Sequence, residues 1–167
     1  MSTDLLPVFG VCDPCATYIS RPGAYVVLSD AQRRVAVVKT QSGLFLPGGG
    51  THQPESPEQT AIRETLEECA LDIRVLAKIG EAHEFMFSEN EGLHYRKEGI
   101  FFVASAIGPR GAAESGTALL WMSVAEALAT LKQLSHRWAV AQALPNPSLK
   151  RTPRARGFAT VPGSRLA

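Results

Sequence analysis

The chain has no uninterrupted apolar run of the roughly 18 residues that a membrane-spanning helix needs. Its first ten residues carry Asp4 and no Lys or Arg, so the basic start of a signal peptide is missing and the expected compartment is the cytoplasm. Cysteine is scarce. Cys12, Cys15 and Cys69 are an odd, small set, which excludes a disulfide scaffold. Cys12 and Cys15 form a lone C-x-x-C with no second ligand pair at zinc-like spacing, and they read as incidental. Acidic residues are missing altogether from Pro145 to Ala167, where Lys150, Arg151, Arg154, Arg156 and Arg165 fall. That leaves 12 basic residues against 16 acidic ones in the rest of the chain. No glycine loop is followed by Gly-Lys-Ser/Thr, which excludes a P-loop, and no serine sits in a hydrolase elbow.

What is present is an ordinary globular balance, 45% hydrophobic and 20% charged over 167 residues, sufficient for one domain with a buried core. Residues 1–20 read as a lead-in, 21–145 as the domain, and 146–167 as a basic, disordered tail. The tail's single aromatic, Phe158, gives little to stack on bases, so nucleic acid is not an expected partner. Strands are expected at residues 24–28, 34–39, 43–46, 73–79, 85–87, 99–106 and 118–122. The first two should form a hairpin, and a polar loop should fill 88–96. Ser56, Pro57 and Gln59 announce a helix over 57–69 through a capping box and a proline at the first position. Ser123 and Ser135 are expected to cap two further helices, over 124–133 and 137–144. Such an alternation implies a mixed sheet covered by helices.

Chemistry is concentrated between Gly49 and Leu71. On a helical wheel Glu64, Glu67 and Glu68 share one face about 100° wide. Ile62, Leu66 and Cys69 fall opposite, as the expected buried face. Three carboxylates on one turn repel and raise each other's proton affinity, a costly arrangement unless a cation sits among them. All-oxygen ligands select a hard cation, Mg²⁺ or alternatively Mn²⁺. Gly48, Gly49 and Gly50 lie just upstream, where bare backbone can approach an ion or a phosphate. A solvated acidic helix face is the alternative reading of the same residues.

Gly49, Glu55, Arg63, Glu64, Glu67, Glu68 and Leu71 fall at the positions of the Nudix box, and the segment resembles that family. The lead-in Leu44 to Gly50, Trp121 before a short helix, and Ser135 to Val140 are similar too, extending the resemblance over about residues 21–144. Two positions depart from the pattern: Thr65 stands for a bulky aliphatic, and Ala70 for the glycine that ends the helix. An alanine in that left-handed position costs about 1 kcal/mol.

The resemblance implies an α/β fold, an α/β/α sandwich with a mixed β-sheet. It implies a Mg²⁺-dependent hydrolase that cleaves a phosphoanhydride bond of a nucleoside diphosphate linked to another group. Glu64, Glu67 and Glu68, with the carbonyl of Gly49, are the implied metal ligands, and Glu64, Glu67 and Arg63 the implied catalytic residues. Arg63 is placed to orient Glu67 four residues on, and Glu55 to pair with Arg63. Glu81, Glu84, Glu89, Glu91, Glu98 and Glu114 are candidates for a further carboxylate from outside the box. None of His83, His94 and His136 has a metal-spaced partner, and all three read as hydrogen-bonded or exposed. His52 lies in the loop nearest the expected substrate. Tyr95, Phe85 and Trp121 are candidates for stacking on a base, with core packing the expected role of the last two. The segment 82–92 lacks the Pro or Tyr that resembles a marker for ADP-ribose or dinucleoside polyphosphates. Small-molecule nucleoside triphosphates, oxidised ones included, are then the expected substrates. A nucleotide-sensing binding module and an RNA-end pyrophosphohydrolase are the alternatives.

Overall fold

A computed structural model describes residues 6–145. The basic tail expected at 146–167 lies outside the described residues. In chain order the elements are β1 (Val8–Phe9), β2 (Tyr18–Leu28), β3 (Val35–Thr40), β4 (Gly43–Phe45), β5 (Gly48–Gly50) and α1 (Pro57–Cys69). There follow β6 (Leu71–Ser88), β7 (Leu93–Pro109), β8 (Ala118–Met122), α2 (Val124–Thr130) and α3 (Leu134–Ala143). Five strands form one sheet in the order β1-β6-β7-β2-β5, and three form a second in the order β4-β3-β8. The first sheet is mixed: β2 runs parallel to β7, while β6 and β7 are antiparallel.

The core has two halves because strand side chains alternate between faces. Val27, Val35, Val37, Leu46 and Phe101 pack with Ala139 and Val140 of α3 and Ala127 of α2. Ala24, Val26, Leu28, Ala36, Ile73 and Phe102 pack with Ala61 of α1. Helices therefore cover both sides of the strands, giving the expected α/β/α sandwich with a mixed sheet. Among the described residues no helix is long and apolar enough to cross a membrane.

Several elements differ from the sequence reading. Strands β2 and β3 do not form a hairpin; they belong to different sheets and share only a bridge between Ser29 and Val35. β2 begins at Tyr18 rather than at residue 24, inside the expected lead-in, because its first half is held by β7 across Tyr18–His94 to Pro22–Glu98. The segments 73–79 and 85–87 are one strand, β6, with register shifts at Asp72/Ile73, Val75/Ala77 and Lys78/Gly80. These irregularities break the two-residue period that a sequence reading relies on. The loop expected over 88–96 shrinks to residues 89–92. Helix α2 stops at Thr130, and α3 starts at Leu134 with Gln133, not Ser135, at its N-cap. The glycine run is not loop but strand β5, pairing Gly48 with Tyr25 and Gly50 with Gly23.

Candidate active site

Helix α1 forms where its sequence signals place it. The Ser56 hydroxyl accepts from the Gln59 N–H at 3.2 Å, and the Gln59 side chain accepts from the Ser56 N–H at 2.8 Å. At the other end Ala70 is left-handed, with φ 53° and ψ 36°, as the departure from the box pattern implied. The buried face is rotated from the expected one: Thr60, Ala61, Thr65 and Cys69 are buried, while Ile62 and Leu66 are half-buried. Thr65 satisfies its buried hydroxyl by donating to the Ala61 carbonyl at 2.7 Å. This rotation sets Glu68 at the edge of the packed face rather than in open solvent.

Arg63 is the hub of the site. Its Nε donates to Glu55 Oε1 at 2.6 Å, and its Nη1 donates to Glu64 Oε1 at 2.8 Å and to Glu67 Oε2 at 3.0 Å. Its Nη2 reaches Glu55 Oε2 and the Gly50 carbonyl, both at 3.1 Å. The guanidinium holds the Glu55 carboxyl down to about 2, helped by the His52 N–H and the Thr60 hydroxyl. Glu55 thus pairs with Arg63, as expected, and exposed His52 serves the turn that holds Glu55.

Strand β5 brings backbone against the helix carboxylates. The Gly48 N–H donates to Glu68 Oε2 at 3.0 Å. A Cβ on Gly49 would lie 2.5 Å from both Cδ and Oε2 of Glu64, so only glycine leaves room for that carboxylate. Burial pushes the Glu68 carboxyl up to about 7; the charges of Glu64, Glu114 and Glu67 push the same way, against the Gly48 N–H.

The segment after β7 closes the far end of α1. The N–H groups of Arg110 and Glu114 donate to the carbonyls of Ala70 and Glu67, each at 2.8 Å, and the Thr117 hydroxyl donates to that of Glu68 at 3.1 Å. This satisfies carbonyls that a helix end leaves open and carries Glu114 to the cluster. Of the six outside carboxylates, Glu114 is the one whose charge reaches Glu68. Glu98 pairs with Arg96, and Glu81 with Lys78. Glu84, buried, accepts from the N–H groups of Leu134 and Ser135 at 3.1 and 3.0 Å and from the Ser135 hydroxyl at 2.6 Å. It caps α3.

Three carboxyls, those of Glu55, Glu64 and Glu67, thus hold one guanidinium, and those of Glu68 and Glu114 add negative charge beside them. Arg63 already occupies an oxygen of Glu64 and one of Glu67, and among the described residues no three acidic, His or Cys side chains converge into a ready-made cation cage. The excess negative charge, the hard oxygen donors and the bare backbone at Gly49 nonetheless fit a divalent hard cation.

A cavity of about 760 Å³ opens beside Gly50, lined by Arg21, Tyr25, Phe45, Met86, Tyr95 and Lys97 among others. Tyr95 lines this cavity but is buried, and the Arg21 guanidinium lies 4.5 Å over its ring, so that ring face is already covered. Phe85 instead packs edge-on against Tyr18, and Trp121 packs in the core half under α1. His136 is buried, and its Nδ1 accepts from the Leu46 N–H at 3.0 Å. Desolvation, with the charge of Lys97, pushes its imidazole down to about 3, which fits a neutral core histidine. Sequence reading missed Arg21, Tyr25 and Lys97, because β2 and β7 bring them together from about 75 residues apart, beyond any local period.

The NUDIX domain matches residues 19–144. The chain belongs to the Nudix family. It is 32% identical over 75 residues to a Bacillus subtilis (strain 168) protein provisionally named 8-oxo-dGTP diphosphatase. That match takes in 44% of this chain and spans half the length of the curated relative. Among solved structures, a Nudix hydrolase from Nitrosomonas europaea aligns with a TM-score of 0.62 at 17% identity, covering 75% of this chain and 88% of that one. The E. coli dihydroneopterin triphosphate pyrophosphohydrolase aligns with a TM-score of 0.62 at 20% identity, covering 72% and 92%. These two likenesses bear on the Nudix fold.

Proposed function

We propose that this Nudix protein is a Mg²⁺-dependent pyrophosphohydrolase acting on nucleoside triphosphates, oxidised ones included. The observation that carries the reading is the carboxylate face of α1, with Glu64 seated against Gly49 and Glu68 against Gly48, next to a cavity large enough for a nucleoside. The curated relative bears a name for cleavage of a triphosphate, which favours that substrate class.

Glu64, Glu67, Glu68 and the Gly49 carbonyl would hold the ion, with Glu114 as the carboxylate from outside the box. When bound, a divalent cation neutralises the phosphate oxygens and polarises the phosphorus under attack. Arg63 fixes Glu64 and Glu67 in orientation through its single Nη1. Glu67 is bound to Arg63 through Oε2 and is more exposed than Glu64, 39% against 17% for the side chains. Its other oxygen would be free to take the proton of the attacking water. The water oxygen bonds to phosphorus as the bridging P–O bond breaks, and the leaving phosphate carries away the electron pair. No covalent enzyme intermediate is required.

The test is a panel of nucleoside triphosphates, nucleotide sugars, ADP-ribose and dinucleoside polyphosphates with Mg²⁺, reading phosphate and pyrophosphate. Pyrophosphate release from triphosphates is expected. Turnover confined to the other classes overturns the substrate assignment, and turnover of none overturns the enzymatic one.

A further inference from the structure

The cavity beside Gly50 holds a cation whose circumstances are unusual. Lys97 is half-buried there and, among the described residues, makes no hydrogen bond or ion pair of its own. The other two cations of the cavity are occupied. Arg21 donates to the Tyr95 hydroxyl at 3.0 Å and lies 4.5 Å over that ring, and Lys132 donates to the Ser42 carbonyl at 2.8 Å.

The pairing of strands explains why Lys97 is left over. Its antiparallel neighbour on β6 is Glu84, the natural partner, but both Glu84 oxygens are committed to the start of α3. Its parallel neighbour on β2 is Arg21, a like charge. Like charges side by side on a sheet are destabilising, and the partial burial of the Lys97 ammonium without a hydrogen-bond acceptor adds to that cost. An arrangement of this kind is compensated when a ligand supplies the acceptor.

The walls say what kind of ligand. Phe45 and Met86, both half-buried, give the cavity a flat and a polarisable surface suited to a planar heterocycle. Glu89 and Glu91 stand exposed at the rim, where they repel phosphate groups. The triphosphate therefore belongs at the carboxylate face beyond Gly50, and the base belongs in the cavity. A lysine ammonium donates three hydrogen bonds and accepts none. It pairs with a ring carbonyl and opposes a ring amino group.

Resting on the triphosphate reading above, we propose that Lys97 is a specificity-determining residue that makes the site prefer guanine and uracil, which carry a carbonyl at C6 and C4, over adenine and cytosine, which carry an amino group at those positions. The experiment compares kcat/KM for GTP, UTP, ATP and CTP with the full chain and Mg²⁺. Wild-type protein is expected to favour GTP over ATP, and UTP over CTP, by about tenfold or more, the scale of a good base-edge contact. In Lys97→Met, which keeps the length and removes the donor, both ratios are expected to fall toward one. Lys97→Arg, which keeps donors, is expected to retain them in part. A merely structural lysine lowers all four substrates together and leaves the ratios unchanged; that result, or equal wild-type rates for all four, overturns the proposal. Should Lys97→Met not fold, Lys97→Gln, which removes the charge and remains polar, carries the same comparison. Turnover of none of the four removes the triphosphate reading and this inference with it.

Discussion

Ala70→Gly should make the protein more stable. Ala70 closes α1 with φ 53° and ψ 36°, its N–H donating to the Leu66 carbonyl at 2.9 Å and its own carbonyl accepting from Arg110 at 2.8 Å. A residue with a Cβ loses about 1–2 kcal/mol in the left-handed region, where glycine loses nothing. Glycine also loosens the unfolded chain, which returns about 0.4–1 kcal/mol. The balance runs from about zero to about 1.6 kcal/mol, centred on about 1 kcal/mol. For a chain of this size that moves the melting temperature by about 2–4 °C. Both end-capping hydrogen bonds use backbone atoms and survive the change. Residue 70 lies outside the carboxylate turn, so turnover should move little. Thermal or urea unfolding of the two proteins measures the effect. A glycine variant that unfolds at lower temperature would show that position 70 is right-handed and the helix continues, and the reasoning about its end would be wrong.

Two further changes probe the site itself. Gly49→Ala places a Cβ 2.5 Å from the Glu64 carboxylate and must displace it, so kcat should drop by on the order of 10²-fold while far-ultraviolet circular dichroism stays the same; wild-type turnover would show that Glu64 does not use this seat. The raised Glu68 carboxyl, about 7 folded against an ordinary 4.5, means that the folded protein holds the extra proton, so this group's stabilisation is present below 4.5 and is lost as pH rises to 7. The neutral core histidine His136, lowered to about 3, has the opposite sign, losing stability as pH falls from 6.5 toward 3, so the whole pH curve mixes the two. The increment in melting temperature from Mg²⁺ separates them: it should grow from pH 5 to pH 8 as the ion replaces the proton, and an increment independent of pH would place Glu68 outside the ion site.

Legibility from sequence followed the range of the interactions. Helix α1 was readable from end to end because its capping box, its first-turn proline and its exit at Ala70 are local to a few residues. The gathering of Glu64, Glu67 and Glu68 was readable for the same reason, since one turn of helix fixes their spacing. The wheel misplaced the buried face because it was drawn through Ile62, Leu66 and Cys69 and left Thr65 out, whereas a threonine can satisfy its hydroxyl on the Ala61 carbonyl and pack inside. Strand partners were not readable. Gly48 to Gly50 carries the composition of a loop and becomes a strand only because β2 offers it a partner. Arg21 and Lys97 carry no local signal of shared purpose; their strand register creates it. Glu84 likewise reads as a loose acid until α3 arrives to use it.

The central claim is that the carboxylate face of α1 is a Mg²⁺-dependent hydrolytic centre. Its most direct test is turnover of a nucleoside triphosphate by wild-type protein, Glu67→Gln and Glu68→Gln, each with excess Mg²⁺ and with excess chelator. Wild-type activity should vanish in chelator and return with Mg²⁺ or Mn²⁺, and each variant should lose on the order of 10²-fold or more in kcat while remaining folded. Full wild-type activity in chelator, or wild-type turnover by both variants, would contradict the account.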